Sequence, residues 1–216
     1  MIKNIRNNLE IKLPGIKSWN RMAVEPMQDS RTINERVINY KEWSSKENVK
    51  NMKKAAVLVC FFRKNNEYYF PLIKRPMHER NHPGQIALPG GSMEENETLK
   101  TTALREAFEE VGIQPNDVDV IGEMTPLPVP VSGFLIYPFI GITKAEPKWI
   151  LNEREVDELI VLKFVDLIDS DNGYCEEWNL KDKMLKVPIF KIMNLKIWGA
   201  TAAILSELID LSKDSS

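Results

Sequence analysis

Three glutamates, Glu106, Glu109 and Glu110, stand three and four positions apart in a stretch, residues 98–111, that holds no glycine or proline and shows helical periodicity. On a helix such positions share a face. Like charges at this spacing destabilise a helix, so three carboxylates together need a reason. A hard divalent cation is the natural one. Mg²⁺ and Mn²⁺ take oxygen ligands, and Mg²⁺ is usually held by a few carboxylates and completed by substrate phosphate oxygens. Arg105 is spaced to reach Glu109 and can also meet Glu97 from the preceding loop; either contact would orient a ligand carboxylate. Gly90 and Gly91 let the backbone pass close to a metal or phosphate. For an isolated Glu-Glu pair, a solvated and inert helix face would be the better reading.

The longer spacing is more specific. Gly91, five residues, Glu97, seven residues, then Arg105-Glu106-Ala107-Phe108-Glu109-Glu110-Val111-Gly112-Ile113 resembles the Nudix box at all seven of its fixed positions, with Ala107 and Ile113 as its aliphatic ones. The resemblance implies an α/β fold, a Nudix-type α/β/α sandwich with a mixed β-sheet and a loop–helix–loop catalytic motif. It also implies hydrolysis of a nucleoside diphosphate linked to another moiety. Glu106, Glu109 and Glu110 carry over as metal ligands for Mg²⁺ or Mn²⁺, with the Gly90 carbonyl as an addition. Gly91, Glu97 and Arg105 carry over as supports. The general base of this family varies between a box glutamate and one on a later loop. Glu155 is the candidate for the later one, and Glu110 its rival.

A second resemblance lies upstream. Residues 72–91 are similar to the segment that marks the coenzyme A diphosphatase branch of the family, with Arg75, Arg80, Gly84 and Pro89-Gly90-Gly91 in place. The chain departs at Pro76, where Ser or Ala is usual, and at Leu88, where Phe or Ile is usual. Ser132-Gly133-Phe134, Glu155-Val156 and the segment from Ile197 to Ala202 agree loosely with the same branch. Coenzyme A or an acyl derivative is therefore the expected substrate, cleaved to 4′-phosphopantetheine and adenosine 3′,5′-bisphosphate. Arg75 and Arg80 offer planar donor forks suited to phosphate, and His82 a further donor. ADP-ribose, dinucleotides and nucleoside triphosphates are the alternative substrates. A Nudix-fold binding protein without catalysis is the alternative of a different class.

These residues need elements to hold them. Ala55–Phe62 is an unbroken apolar run that reads as a buried strand, with Tyr68–Lys74 as its hairpin partner. Gln85–Leu88 reads as a short strand leading into Pro89-Gly90-Gly91. The box helix spans Thr98–Val111 and stops at Gly112, a C-cap glycine. Val118–Met124, Leu135–Thr143 (interrupted by Pro138), Glu158–Phe164 and Met184–Ile189 are further strands. Ile197–Leu211 is a closing helix, its Trp198 read as core. Strands and helices do not alternate strictly, which favours a mixed sheet between helices.

With 43% hydrophobic residues in 216, the chain can bury one core. A Nudix domain is expected over residues 51–216, preceded by a polar extension, residues 1–50, in which Ile2, Ile5 and Leu9 sit at helical spacing. That extension can pack on the core, cover a homodimer interface or gate the pocket. The net charge of −2 gives no argument for nucleic acid or a membrane surface. No apolar run approaches the roughly 20 residues of a membrane span. Neither cysteine belongs to a metal or redox pair, so the expected setting is the cytoplasm.

Overall fold

The computed structural model describes residues 1–27, 40–78, 83–180 and 183–214. In chain order these form α1 (Ile2–Ile11), α2 (Ile16–Trp19), β1 (Glu25–Pro26), α3 (Tyr40–Trp43), α4 (Lys46–Val49), β2 (Lys53–Lys64), β3 (Glu67–Lys74), β4 (Ile86–Ala87), β5 (Gly90–Ser92) and α5 (Leu99–Val111). There follow β6 (Val118–Glu123), β7 (Leu127–Val129), β8 (Phe134–Thr143), β9 (Glu158–Lys163), α6 (Phe164–Asp169), β10 (Cys175–Leu180), β11 (Lys183–Pro188), β12 (Phe190–Ile192), β13 (Leu195–Ile197) and α7 (Gly199–Ser212).

Between its charged ends, β2 is apolar from Ala55 to Phe62 because both of its faces are covered there. Ala56, Leu58 and Cys60 pack with Ala103, Ala107 and Val111 of α5. Val59 and Phe61 point the other way, into a larger cluster with Leu205 and Leu208 of α7. Two helical layers thus enclose one mixed sheet, as expected. The β2–β8 pairing is parallel; β3, β5, β6, β7 and β9 join by antiparallel ladders. Asn65 and Asn66, both at positive φ, turn β2 into β3, which suits a tight hairpin.

That hairpin then splits. β3 stays with β2 only from Glu67 to Tyr69 and runs on beside β9. Farther back along β2, its freed edge at Ala55–Val57 takes up β5 instead. The short β4 pairs with the end of β3, so residues 86–92 cross the split and lay Gly90 and Gly91 along β2.

The strand around Pro138 is continuous, contrary to expectation. Pro138 falls where β8 changes partners, between Phe139 (opposite Glu123 of β6) and Ile136 (opposite Leu127 of β7). Its carbonyl accepts from Met124 N–H at 2.8 Å, and on its other side it stands opposite Val57 in the parallel ladder with β2, so the strand runs through the proline unbroken. Trp198 is also a correction. It is half-buried, sits just before α7, and meets Trp178 edge-on at 4.9 Å over a small satellite cluster of Val24, Leu185, Val187 and Ile189. The main core takes its neighbour Ile197 instead.

The first residues are not loose. Ile5 and Trp19 are fully buried in the cluster that holds Leu205. Asn8 donates to the carbonyls of Leu211 and Lys213, both at 2.9 Å, and so caps the end of α7. No helix among the described residues is long and apolar enough to cross a membrane.

Candidate active site

The box helix α5 begins and ends where the sequence says it should. Thr98 caps it and exchanges hydrogen bonds with Thr101, and Gly112 closes it at φ 82°. Gly112 is also needed sterically: a Cβ there would come within 2.8 Å of the Ile150 nitrogen. Between these stops, Glu106 and Glu110 face β5. Gly90 N–H donates to Glu110 Oε2 at 2.9 Å. Any side chain at Gly91 would run into the Glu106 carboxylate.

Arg105 holds the acidic groups in place. Its Nε and Nη2 grip the two oxygens of Glu97 at 2.7 and 3.1 Å, and Nη1 reaches Glu106 and Glu109, each at 2.9 Å. Nη2 also meets the Ser92 carbonyl at 3.2 Å, which ties the helix to β5. The Arg105 bonds, joined by those from Glu94 N–H and Thr102, hold the Glu97 carboxyl down at about 2. Both expected contacts of Arg105 are therefore present. Glu109 gives one oxygen, Oε2, to Arg105 and is half exposed. Arg105→Lys keeps the charge but cannot fork between three carboxylates. The expected result is a loss of about 10- to 100-fold in activity with little change in melting midpoint, measured on the purified variant.

Glu155 arrives from a different element. The loop after β8 docks on the C-terminal end of α5, where Ile150 N–H donates to the Val111 carbonyl (3.1 Å) and Asn152 N–H to the Glu110 carbonyl (3.0 Å). These bonds satisfy carbonyls that the last helical turn leaves without partners. Val156, 3% exposed, anchors the loop in the α5-side core. The result is a cluster in which one ligand oxygen each from Glu106, Glu110 and Glu155 lies within 4.8 Å of the others.

Electrostatically the cluster is short of positive charge. Burial pushes the Glu110 carboxyl up to about 8, and Glu106 and Glu155 add repulsion against the pull of Gly90 N–H and Arg75. Burial likewise raises Glu106, with Arg105 opposing. Three hard oxygen donors at this separation, one of them 3% exposed, are a fitting donor set for a divalent cation.

Residues 52–180 match the Nudix domain model. The chain is a Nudix hydrolase. It is 32% identical over 161 residues to a protein described as the uncharacterized Nudix hydrolase NudL of Enterobacter sp. (strain 638), covering 74% of this chain and 83% of the relative. The NudL protein of Pectobacterium atrosepticum is 36% identical over 138 residues, covering 63% and 71%. Among solved structures, the Nudix hydrolase RenU of Mycobacterium smegmatis superposes with a TM-score of 0.51 at 18% identity, covering 74% of this chain and 86% of that one, a likeness of fold.

In this Nudix hydrolase, Arg75 follows β3 directly, and its backbone is held by Gln85 (2.9 Å) and Gly84 (3.1 Å) within electrostatic reach of Glu110. Arg80 and His82 lie outside the described residues. Sequence reasoning missed Asn152, whose amide donates to Glu155 Oε1 at 2.8 Å. An Asn three residues before a candidate glutamate, on a Pro-flanked loop, was the available signal.

Proposed function

We propose that this Nudix hydrolase cleaves the diphosphate of coenzyme A or an acyl derivative to 4′-phosphopantetheine and adenosine 3′,5′-bisphosphate. The observation that carries the reading is where the upstream segment ends up. Within residues 72–91, which resemble the coenzyme A diphosphatase signature, Arg75 lies near Glu110, Gly90 on its carboxylate and Gly91 beneath that of Glu106. The segment thus brings a cationic side chain, Arg75, and the two glycines to the carboxylate cluster.

Glu106 and Glu110, with the Gly90 carbonyl, are the proposed holders of Mg²⁺ or Mn²⁺, and Glu109 is the further box ligand. A bound divalent cation neutralises diphosphate charge and polarises water. Glu97 and Arg105 orient the ligand carboxylates. Arg75, with Arg80 and His82, binds phosphate oxygens of the substrate. Glu155 takes the proton of the water that attacks phosphorus in line. It suits that task better than Glu110 because it is exposed, whereas Glu110 is buried and hydrogen-bonded to Gly90.

Product analysis by mass spectrometry, with coenzyme A, ADP-ribose and NADH each offered with and without Mg²⁺, tests the substrate. Metal-dependent release of 4′-phosphopantetheine, faster than cleavage of the other two, is the expected result. Preferential cleavage of ADP-ribose or NADH would discard coenzyme A and keep the hydrolase. Binding without turnover of any, with Mn²⁺ also tried, would favour a binding protein.

The raised Glu110 pKa has a consequence for stability. An unfolded glutamate loses its proton near 4.5, while the folded one keeps it up to about 8. Across that window the folded state binds more protons, so the metal-free protein loses stability as pH rises. A divalent cation takes the place of the proton, and its stabilisation grows over the same window. The melting midpoint in EDTA should therefore fall between about pH 5 and 8, and the gain from Mn²⁺ should be larger at the upper end. Glu110→Gln should flatten both trends.

A further inference from the structure

We propose that Asn152 is the positioning residue for Glu155: a single side-chain amide that aims the proton-accepting carboxylate at the Glu106–Glu110 pair. The inference rests on the role given above to Glu155.

Glu155 is exposed on a loop. A free glutamate there would sweep through its rotamers and spend little time facing the cluster. Asn152 prevents this from both ends. Its backbone N–H donates to the Glu110 carbonyl at 3.0 Å, which fixes Asn152 to the helix that carries the other two carboxylates. Its own carbonyl accepts from Glu155 N–H and Val156 N–H, both at 2.9 Å, and so sets the turn from which Glu155 projects. Its amide Nδ2 then donates to Glu155 Oε1 at 2.8 Å. The other carboxylate oxygen, Oε2, is left to receive the proton as the water oxygen bonds to one phosphorus and the P–O bond to the bridging oxygen breaks, that oxygen leaving with its electron pair on the other phosphate.

The orientation of that amide follows from chemistry. Arg154 N–H meets Asn152 Oδ1 at 3.2 Å, and a backbone N–H needs an acceptor. The NH₂ end must therefore face Glu155, where the carboxylate needs a donor. Aspartate is nearly the same shape and would keep the Oδ1 contact and the turn. It would present a second carboxylate oxygen to Glu155 and drive it away. A residue that mattered only for the turn would tolerate aspartate; a positioning residue would not.

The experiment compares Asn152→Asp, Asn152→Ala, Glu155→Gln and the Asn152→Asp/Glu155→Gln double variant, measuring kcat, KM and melting midpoint with Mg²⁺ and the fastest substrate of the panel. Asn152→Asp and Asn152→Ala should each lower kcat by about 10- to 100-fold. KM should change by less than about threefold, the pattern of a lost transition-state interaction. The double variant should be no slower than Glu155→Gln alone, since the two residues act as one unit. Wild-type kcat in Asn152→Asp, with Glu155→Gln inactive, would overturn the inference and leave Glu155 in place. So would a loss in the double variant that multiplies the two single losses, or a loss in both Asn152 variants that follows a fallen melting midpoint. Full turnover by Glu155→Gln would instead remove Glu155 from proton transfer, and this inference with it.

Discussion

Glu106→Gln is expected to lower kcat by about 10³-fold, roughly 4 kcal/mol of lost transition-state stabilisation, in a protein that still folds. Glu106 lies against Gly91, with its side chain only 12% exposed and one oxygen on Arg105 Nη1 at 2.9 Å. Glutamine has the same shape, and its carbonyl can keep the Arg105 bond. What it lacks is the negative charge that holds a cation against a doubly ionised diphosphate. Losing that charge also relieves repulsion, because Glu106 is one of the groups that push Glu110 upward. The variant should therefore melt in EDTA no lower than the wild type. Low activity together with unchanged or raised metal-free stability is the signature of a ligand, whereas a structural residue would lose both. Turnover within about tenfold of wild type would take Glu106 out of the ligand set.

The contrast between what was legible in the chain and what was not follows the range of the interactions. The box helix could be placed almost to the residue because its limits are local: Thr98 and Gly112 act on their own turns. The faces of Glu106 and Glu110 follow from helical spacing alone. Arg105 was legible for the same reason, since its partner Glu109 lies one turn away. The convergence of Glu155 was not legible. It depends on a loop meeting the end of α5 through Ile150 and Asn152, and no local preference encodes such a meeting. The hairpin of β10 and β11 went half unread because Glu176, Glu177 and Lys186 dilute its alternation. Trp198 was misplaced by the helical pattern that follows it. It sits one residue before α7, where the backbone is still extended, and its ring turns to Trp178 rather than to the helix layer.

The least legible residue of the fold supports the second large expectation: Glu207→Ala should destabilise the protein by roughly 3 kcal/mol or more. In sequence Glu207 is one of two acids, with Asp210, in a largely apolar helix, and their spacing of three reads as a solvent-facing stripe. In the structure it is fully buried. It accepts hydrogen bonds from Gly15 N–H at 3.2 Å, Trp19 Nε1 at 3.1 Å, Thr125 N–H at 3.3 Å and the Thr125 hydroxyl at 2.5 Å. The N-terminal arm, the β6–β7 turn and α7 meet on this carboxylate. Alanine would leave those donors buried without an acceptor and open a cavity beside Trp19. For a chain of this length the melting midpoint should fall by about 6–12 °C. Glu207 lies away from the carboxylate cluster, so kcat measured well below the midpoint should hold near the wild-type value. Deleting residues 1–22 should cost at least as much, because it also strips Ile5 and Trp19 from the core. A Glu207→Ala protein that melts within about 2 °C of wild type would mean that the arm is merely appended to the domain. The predicted loss would mean instead that the arm completes the α7 side of the sandwich, so that the cooperative fold extends beyond the segment that carries the family signature.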